Sequence, residues 1–168
     1  MTSAMKEFTF ESEICEHLAA HGWLYSADDT GYDRGLALYP DDVFAWLEES
    51  QPSEWARMVR PDGSDEQRAK AKARILKALS GRLDLPMASG GGTLNVLRKG
   101  FQEVSARFAM VQPQPTEALN PTLMDRYGMN RLRVMRQVHY SKHRPARSID
   151  LVLFCNGLPV ATIELKTE

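Results

Sequence analysis

The sequence has few cysteines and no long apolar run. Cys15 and Cys155 are its two cysteines among 168 residues, and no C-x-x-C pair occurs. This usage favours neither a disulfide framework nor a cysteine zinc site, and it is typical of a reducing cytoplasm. No stretch approaches the roughly eighteen apolar residues of a membrane span, and residues 1–7 lack the apolar region of a signal peptide. We therefore expect a soluble cytoplasmic protein.

A nucleotide-binding loop is also missing. The glycine-rich stretch 88–93, ASGGGT, is not followed by the Gly-Lys-Ser/Thr of a Walker A motif. We expect a flexible turn there and no nucleotide site. The length suits one domain, which we predict to span residues 1–168.

Charge is sorted along the chain although the net charge is only −1. Residues 1–66 carry 15 acidic and 4 basic side chains, and residues 67–168 carry 7 and 17. The densest basic run has no acid before Asp150, and its members are Arg126, Arg131, Arg133, Arg136, Lys142, Arg144 and Arg147. A polyanion such as DNA is the partner that this run favours, and a solvated charged face is the alternative.

The end of the chain predicts a β-hairpin that carries charged residues. Two runs rich in β-branched and aromatic residues, 149–155 and 158–165, flank Asn156-Gly157, the strongest short hairpin signal. These strands carry Asp150, Glu164 and Lys166. Charges on buried strands cost several kcal/mol unless a partner or a metal compensates them. The hairpin is therefore a candidate functional site.

The three charged residues suit metal-assisted phosphodiester chemistry. Glu164 and Lys166 would share a strand face about 6.6 Å apart, and the hairpin can bring Asp150 beside them. Two close carboxylates repel each other, and Mg²⁺ relieves that repulsion. A lysine there can orient water or stabilise charge on a phosphate. A solvated hairpin with ordinary surface charges is the alternative.

The register of the hairpin decides whether this site can assemble. With a regular two-residue loop, Asp150 would oppose Ile163 and Glu164 would project from the other face. A change of one residue restores a common face, because side chains alternate with a period of two. We therefore predict either a three-residue loop or a β-bulge near Pro159.

These residues resemble a known nuclease signature. Asp150, followed by Glu164-Leu165-Lys166, resembles the PD-(D/E)xK motif, with Ile149 in the place where proline is frequent. More narrowly, SIDLVLFCNGLPVATIELK and the upstream NRLRVMRQVHY are similar to the N-terminal nuclease domain of the R (restriction) subunit of type I restriction-modification enzymes. The resemblance implies an α/β, restriction-endonuclease-like mixed sheet flanked by helices. A helical insertion would separate the first helix from the strands.

The resemblance also implies roles for the site residues. Asp150 and Glu164 would hold Mg²⁺ with the Leu165 carbonyl as a further ligand, and Lys166 would position or activate the attacking water. The substrate would be double-stranded DNA, and the methyltransferase and specificity subunits would be partners through the full-length chain. ATP would be used by motor domains that are absent here. A Gln-x-x-x-Tyr element is also missing, so we expect the natural chain to continue beyond Glu168.

A fourth site residue comes from the first predicted helix, Phe8 to Trp23. Glu11 lies on the face of Ile14, Cys15 and Leu18, and an acid on an apolar stripe is unusual. In nucleases of this kind a glutamate of the first helix faces the metal, so Glu11 would assist through water or a second metal. The alternative is a helix-end carboxylate favoured by the helix dipole.

His17 and His21 form an H-x-x-x-H pair that could bind zinc, but no third ligand is evident and we expect surface histidines.

Four further helices are predicted. One begins at Asp41, a short one includes Trp55 to Val59, and one runs from Pro121 to Tyr127. The fourth begins at the capping box of Ser64 and Gln67 and continues to about Leu79, where Gly81 would stop it. Further strands are predicted at 106–111 and 132–140.

Two other functions stay open. One is a stand-alone PD-(D/E)xK repair nuclease, and the other is a non-catalytic DNA-binding or subunit-docking module with vestigial acids.

Overall fold

The structure is a computed structural model that describes residues 3–104, 106–116, 120–141 and 143–166. It contains helices and strands in mixed order, as predicted for the α/β class. In chain order the elements are α1 (Ser3–Ala20), β1 (Leu24–Ser26), α2 (Pro40–Ser50), α3 (Pro52–Met58), α4 (Asp65–Asp84), a 3₁₀ turn (Met87–Ser89), α5 (Thr93–Lys99), β2 (Phe101–Glu103), β3 (Ala106–Phe108), α6 (Pro121–Gly128), β4 (Leu132–His139), β5 (Ser148–Cys155) and β6 (Leu158–Ile163). No helix among these residues is long and apolar enough to cross a membrane.

The chain divides into two compact units. Unit 1 comprises residues 1–39 and 131–168, and unit 2 comprises residues 40–130. Unit 1 holds a four-stranded sheet of order β1-β4-β5-β6, in which β1 is parallel to β4 and the remaining pairs are antiparallel. The sheet of unit 1 is therefore mixed.

Apolar side chains cover both faces of this sheet. On the face toward α1, Val134 and Leu151 are buried against Cys15 of the helix. On the other face, Met135, Val138, Val152 and Phe154 form a second buried cluster. Two cores therefore enclose β4 and β5, which explains why Leu151 to Cys155 of β5 form a continuous apolar run.

The alternation of side chains breaks where Gln137 lies level with Asp150. Met135 and Val138 share a cluster although three positions separate them, and between them Gln137 adopts φ +48°. The ladder pairs Arg136 with Leu151 and Val138 with Ile149, so the register itself does not shift. The positive φ instead turns Gln137 toward the α1 side of the sheet, the side that Arg136 already occupies.

The β5–β6 hairpin confirms the predicted bulge. Asn156 and Gly157 adopt φ +50° and +81° and form a two-residue turn in which Cys155 pairs with Leu158. The register then shifts by one residue, because Phe154 pairs with Pro159 whereas Leu153 pairs with Ala161. Val160 is the extra residue of the bulge. The shifted register ends at the pair of Leu151 with Ile163, and one step further brings Asp150 level with Glu164.

Unit 2 contains the helices α2 to α6 and the antiparallel β2–β3 hairpin. The Trp46 indole N–H donates to the Ala109 carbonyl, and the Gln51 carboxamide bonds to both backbone groups of Ala109. These contacts connect α2 and the residue before α3 to the segment that follows β3. The predicted capping box of Ser64 and Gln67 at the start of α4 is confirmed.

Some element boundaries were predicted wrongly. Helix α4 continues through Gly81 to Asp84, since an interior glycine costs only about 1 kcal/mol relative to alanine. The helix stops before Leu85, which is extended (ψ 145°), the conformation that the residue before Pro86 favours. Helix α1 ends at Ala20 rather than Trp23, and β3 ends at Phe108. The sequence did not predict the short elements β1, α5 and β2.

Candidate active site

Glu11 of α1 is held by a buried ion pair. Its side chain lies on the apolar face predicted for the helix, and the residue is only 5% exposed. Arg136 of β4 donates from Nε to Glu11 Oε1 at 2.7 Å, and the Arg136 side chain is 12% exposed. The hydrogen bond to Glu11 raises the pKa of Arg136 above its ordinary value, so the arginine remains charged. This partner accounts for a carboxylate in an apolar environment.

Arg136 is itself fixed by aromatic neighbours. Its guanidinium lies 4.7 Å from the centroid of the Phe8 ring, within the range of a cation–π contact. A second nitrogen donates to Tyr25 Oη at 3.4 Å. The aromatic contacts and the ion pair limit the positions that the guanidinium can take, which orients Glu11 in turn.

Gln137 bridges Glu11 and Asp150. Its Nε2 lies 3.5 and 3.3 Å from the two Glu11 oxygens and 3.4 Å from Asp150 Oδ1. Ser148 donates from its hydroxyl to Gln137 Oε1 at 2.8 Å, which determines which end of the amide faces the carboxylates. The three contacts at Nε2 are at the long limit of hydrogen bonding. One partly positive nitrogen therefore lies among three carboxylate oxygens.

Asp150 connects this cluster to the segment that follows β6. The Leu165 backbone N–H donates to Asp150 Oδ2 at 2.7 Å, and the Asp150 side chain is half-buried. The carboxylate thus has one oxygen toward Gln137 and the other on the backbone between Glu164 and Lys166. This bond brings the predicted Glu-Leu-Lys element next to the predicted aspartate.

The carboxylates border an open cavity of about 190 Å³. Its lining residues come from α1, β4, β5 and the end of the hairpin, and they are Glu7, Phe8, Glu11, Gln137, Asp150 and Leu165. Oxygen ligands are those that Mg²⁺ prefers. The acids of the cavity therefore offer the kind of ligand that a hard cation prefers.

The side chains at the cavity are of the chemical type that binds a divalent cation. The oxygens of Glu11 and Asp150 already lie 3.3–3.5 Å from a common point, the Gln137 amide nitrogen. Magnesium requires about 2.1 Å, so the carboxylates would have to move inward and the amide would have to move away. Among the described residues, no three His, Cys, Asp or Glu side chains are close enough together to hold a metal. A third carboxylate would have to come from a movement of Glu7, which lines the same cavity, or of Glu164.

Glu164 and Lys166 are both exposed, and neither lines the cavity among the residues that the structure describes. Strand β6 ends at Ile163, so no ladder hydrogen bond fixes these two side chains. The structure thus brings together Glu11, Asp150 and Leu165 of the predicted set. Glu164 and Lys166 are adjacent to that group along the chain.

The described members of the basic run lie in different local environments. Arg136 is buried against Glu11, and Arg133 donates to Ser26 Oγ at 2.8 Å and lies 4.3 Å from the Tyr39 ring centroid. Arg144 and Arg147 are exposed before β5, and Arg131 is half-buried beside the Asn156 turn. Lys142 lies outside the described residues, and Arg126 belongs to unit 2.

His17 and His21 are exposed, with ring centroids 4.2 Å apart. The His21 ring bonds to the His17 carbonyl through Nδ1. The described part of the chain provides no third metal ligand beside them. This arrangement agrees with surface histidines.

Sequence reasoning missed Gln137 and Ser148. The one available signal was that Met135, Arg136 and His139 fit strand alternation poorly. That irregularity marks the backbone turn at Gln137.

The fold and the cavity define the class of protein. It is a mixed α/β domain in which a carboxylate from a helix and a carboxylate from a strand converge on an open cavity. The model of a family described as type I restriction enzyme R protein N terminus matches residues 4–168. This match spans nearly the whole chain, and the chain belongs to that family. Searches among curated proteins and among solved structures gave no significant match.

Proposed function

We propose that this chain is the Mg²⁺-dependent nuclease domain of a type I restriction enzyme R subunit and that it hydrolyses phosphodiester bonds of double-stranded DNA. The observation that carries the proposal is the convergence of Glu11 and Asp150 on one cavity, with the Leu165 amide bound to Asp150. Family membership supports the restriction role. The fold would be of the PD-(D/E)xK type, with residues 40–130 as the helical insertion.

The hairpin geometry supports a site that includes Glu164 and Lys166. The bulge at Val160 provides the register in which Asp150 and Glu164 are level. Leu165 contacts Asp150 directly, and its chain neighbours have Cα atoms only about 3.8 Å away. A small rotation of this terminal segment would therefore bring the Glu164 carboxylate to the cavity. DNA and metal would stabilise that arrangement.

Each residue then has a defined task. Asp150 and Glu164 hold Mg²⁺ with the Leu165 carbonyl as a further ligand, and Lys166 positions or activates the attacking water. Glu11 assists through water or a second metal. Mg²⁺ supplies charge stabilisation at the phosphate and a more acidic bound water. Arg136 orients Glu11 and compensates its charge, and Gln137 bridges the two carboxylates.

DNA would be held by basic side chains of the run 126–147. Arg144 and Arg147 are exposed before Asp150, Arg133 lies on β4, and Arg131 directly precedes that strand. Neutralised phosphates release counterions, so binding would weaken with salt. The methyltransferase and specificity subunits would be partners through the full-length chain. ATP would be used by motor domains elsewhere in that chain, and the enzyme would act in the cytoplasm.

Metal binding by this chain tests the proposal. Isothermal calorimetry with Mg²⁺ or Mn²⁺ should give a weak heat of binding that is lost in Asp150→Ala and reduced in Glu164→Ala. Glu13→Ala is the matched control, because Glu13 is an exposed acid on α1 that does not line the cavity. In the complete enzyme, Asp150→Ala should abolish DNA cleavage and leave ATP hydrolysis intact. Unchanged heats in both site variants would refute the metal assignment.

One observation favours a second function, that of a non-catalytic DNA-binding or subunit-docking module. Glu11 is already neutralised by Arg136, and among the described residues the acids that line the cavity, Glu7, Glu11 and Asp150, are not close enough together to hold a metal. In that case metal would not bind, and Asp150→Ala would leave cleavage by the complete enzyme unchanged. A stand-alone repair nuclease is less favoured, because the family model is specific to the R protein.

A further inference from the structure

Unit 2 contains a basic groove that is separate from the run 126–147 except at Arg126. Two adjoining cavities, of about 440 and 300 Å³, are both lined by Lys99 and Arg107. Arg82 of α4 borders the larger cavity, and Arg126 of α6 borders the smaller one. No acidic residue lines the larger cavity among the described residues, and Glu54 is the one acid at the smaller.

The positive charges of the groove are not neutralised within the described part of the chain. Arg82, Lys99, Arg107 and Arg126 form no ion pair there. Other basic residues of unit 2 do form such pairs, among them Arg60 with Asp62, Arg68 with Asp65, Lys70 with Glu66 and Arg74 with Glu103. Arg57, Lys72, Lys77 and Arg98 of unit 2 likewise form no ion pair among the described residues, but they line neither cavity, so the groove is where unpaired charges share one concave surface.

Arg126 adds a second observation. Its Nε is buried and has no hydrogen-bond partner among the described residues. The guanidinium lies 5.8 Å from the centroid of the buried Trp46 ring, which supports it without accepting a hydrogen bond. A buried donor without an acceptor is uncommon in folded proteins. An anion in the groove would compensate the charge of this group.

We propose that the groove of Arg82, Lys99, Arg107 and Arg126 binds the phosphate backbone of DNA. The charges come from α4, α5, β3 and α6 and extend over two cavities, which fits the repeated charge of a polyanion better than one small anion. The choice of DNA rests on the proposed function. The groove gives unit 2 a task in substrate binding that is independent of the carboxylates.

A salt-dependence measurement tests this proposal on the whole chain. The groove variant combines Lys99→Gln with Arg107→Gln, and the matched control combines Lys77→Gln with Arg98→Gln. All four side chains are exposed, and the control residues line neither cavity. Fluorescence anisotropy with a labelled DNA duplex gives the binding constant over a range of salt concentrations. Circular dichroism verifies that both variants are folded.

The groove variant should bind DNA more weakly and reduce the slope of log K against log salt by about 2, since each lost phosphate contact contributes about 0.9. The control should leave the slope unchanged. Equal weakening of both variants would overturn the proposal, because net charge alone would then explain binding. Unchanged binding by the groove variant would also overturn it. The proposal would also be overturned if poly-glutamate, at equal charge, competed as effectively as DNA does. An acidic protein would then fit the groove as well.

These outcomes are independent of the nuclease assignment. If the groove variant binds DNA normally while Asp150→Ala loses metal, the groove proposal fails and the proposed function stands. If the groove variant loses DNA affinity while Asp150→Ala keeps its metal heat, the groove stands and the nuclease assignment fails.

Discussion

The ion pair of Glu11 and Arg136 allows a quantitative test of the site, and Arg136→Met is the informative change. Methionine preserves much of the volume and removes the charge. Glu11, only 5% exposed, would then be left without its partner at 2.7 Å. Removal of one member of a buried ion pair costs about 3–5 kcal/mol. Gln137 Nε2 remains within 3.5 Å of both Glu11 oxygens, so we expect the lower end, about 3 kcal/mol.

The double variant Glu11→Gln with Arg136→Met should be more stable than Arg136→Met alone. It removes both charges, and an uncharged replacement of a buried pair is often nearly neutral. The losses in unfolding free energy of the two single variants should therefore add up to more than the loss in the double variant. The difference, about 2 kcal/mol or more, is the coupling energy between the two contacting residues. Lys70→Met is the matched control, because its ion pair with Glu66 is exposed and contributes little.

Urea unfolding measures these changes, and the m-value must stay constant for the comparison to hold. Since the chain has two compact units, hydrogen exchange at the amides of β4 and β5 should report on unit 1 by itself. For a chain of this size, about 3 kcal/mol corresponds to a fall in Tm of about 6–12 °C. A loss below about 1 kcal/mol in Arg136→Met, or strict additivity in the double variant, would refute the view that Arg136 compensates a buried Glu11 charge.

Three further predictions concern other parts of unit 1. Burial opposes ionisation of Asp29, but hydrogen bonds from the His139 backbone and ring lower the pKa of Asp29 below its ordinary value overall. Asp29→Asn should therefore lower the free energy of unfolding by about 1–2 kcal/mol near pH 7. The difference in stability between the variant and the parent should disappear as pH falls through the lowered pKa of Asp29, and urea unfolding at several pH values measures it. Burial raises the pKa of Cys155 to about 11, so a thiol reagent at pH 8 should label it slowly in the native protein and rapidly in urea; equal rates would contradict its burial. Deletion of Val160 should remove the bulge but keep Asp150 level with Glu164, because the residues on either side of the deletion then pair without an extra residue; the metal heat should therefore be retained, and its loss would show that the shape of the bulge, not the register alone, is required.

The sequence predicted those parts of the structure that depend on local chemistry. Asn156-Gly157 between β-branched runs predicted the hairpin, and the conflict between Asp150 and Glu164 predicted its bulge. The apolar face of α1 predicted a buried Glu11. The family resemblance was confirmed over residues 4–168. These signals are local in the chain, or they follow from the fixed period of strands and helices.

Other features could not be predicted, because they depend on contacts between distant segments. β1 has three residues and exists through its pairing with β4, more than a hundred positions away. Helix α4 passes Gly81, because burial of residues such as Leu79 outweighs a weak local preference. In the sequence Gln137 is an ordinary polar strand residue, and only the structure shows its positive φ and its bonds to Glu11 and Asp150.

Three backbone irregularities of unit 1 have a common consequence. The turn at Asn156-Gly157 uses two positive φ angles, the bulge adds Val160 to β6, and Gln137 takes a positive φ inside a strand. The turn is the form that two-residue hairpins favour, whereas the bulge and the positive φ of Gln137 depart from regular antiparallel geometry, and a side chain held at positive φ costs on the order of 1 kcal/mol. Together they bring Gln137 and Asp150 to the α1 side of the sheet and make Glu164 level with Asp150. A sheet that served only to enclose a core would gain nothing from these departures, whereas a site that requires converging carboxylates depends on them.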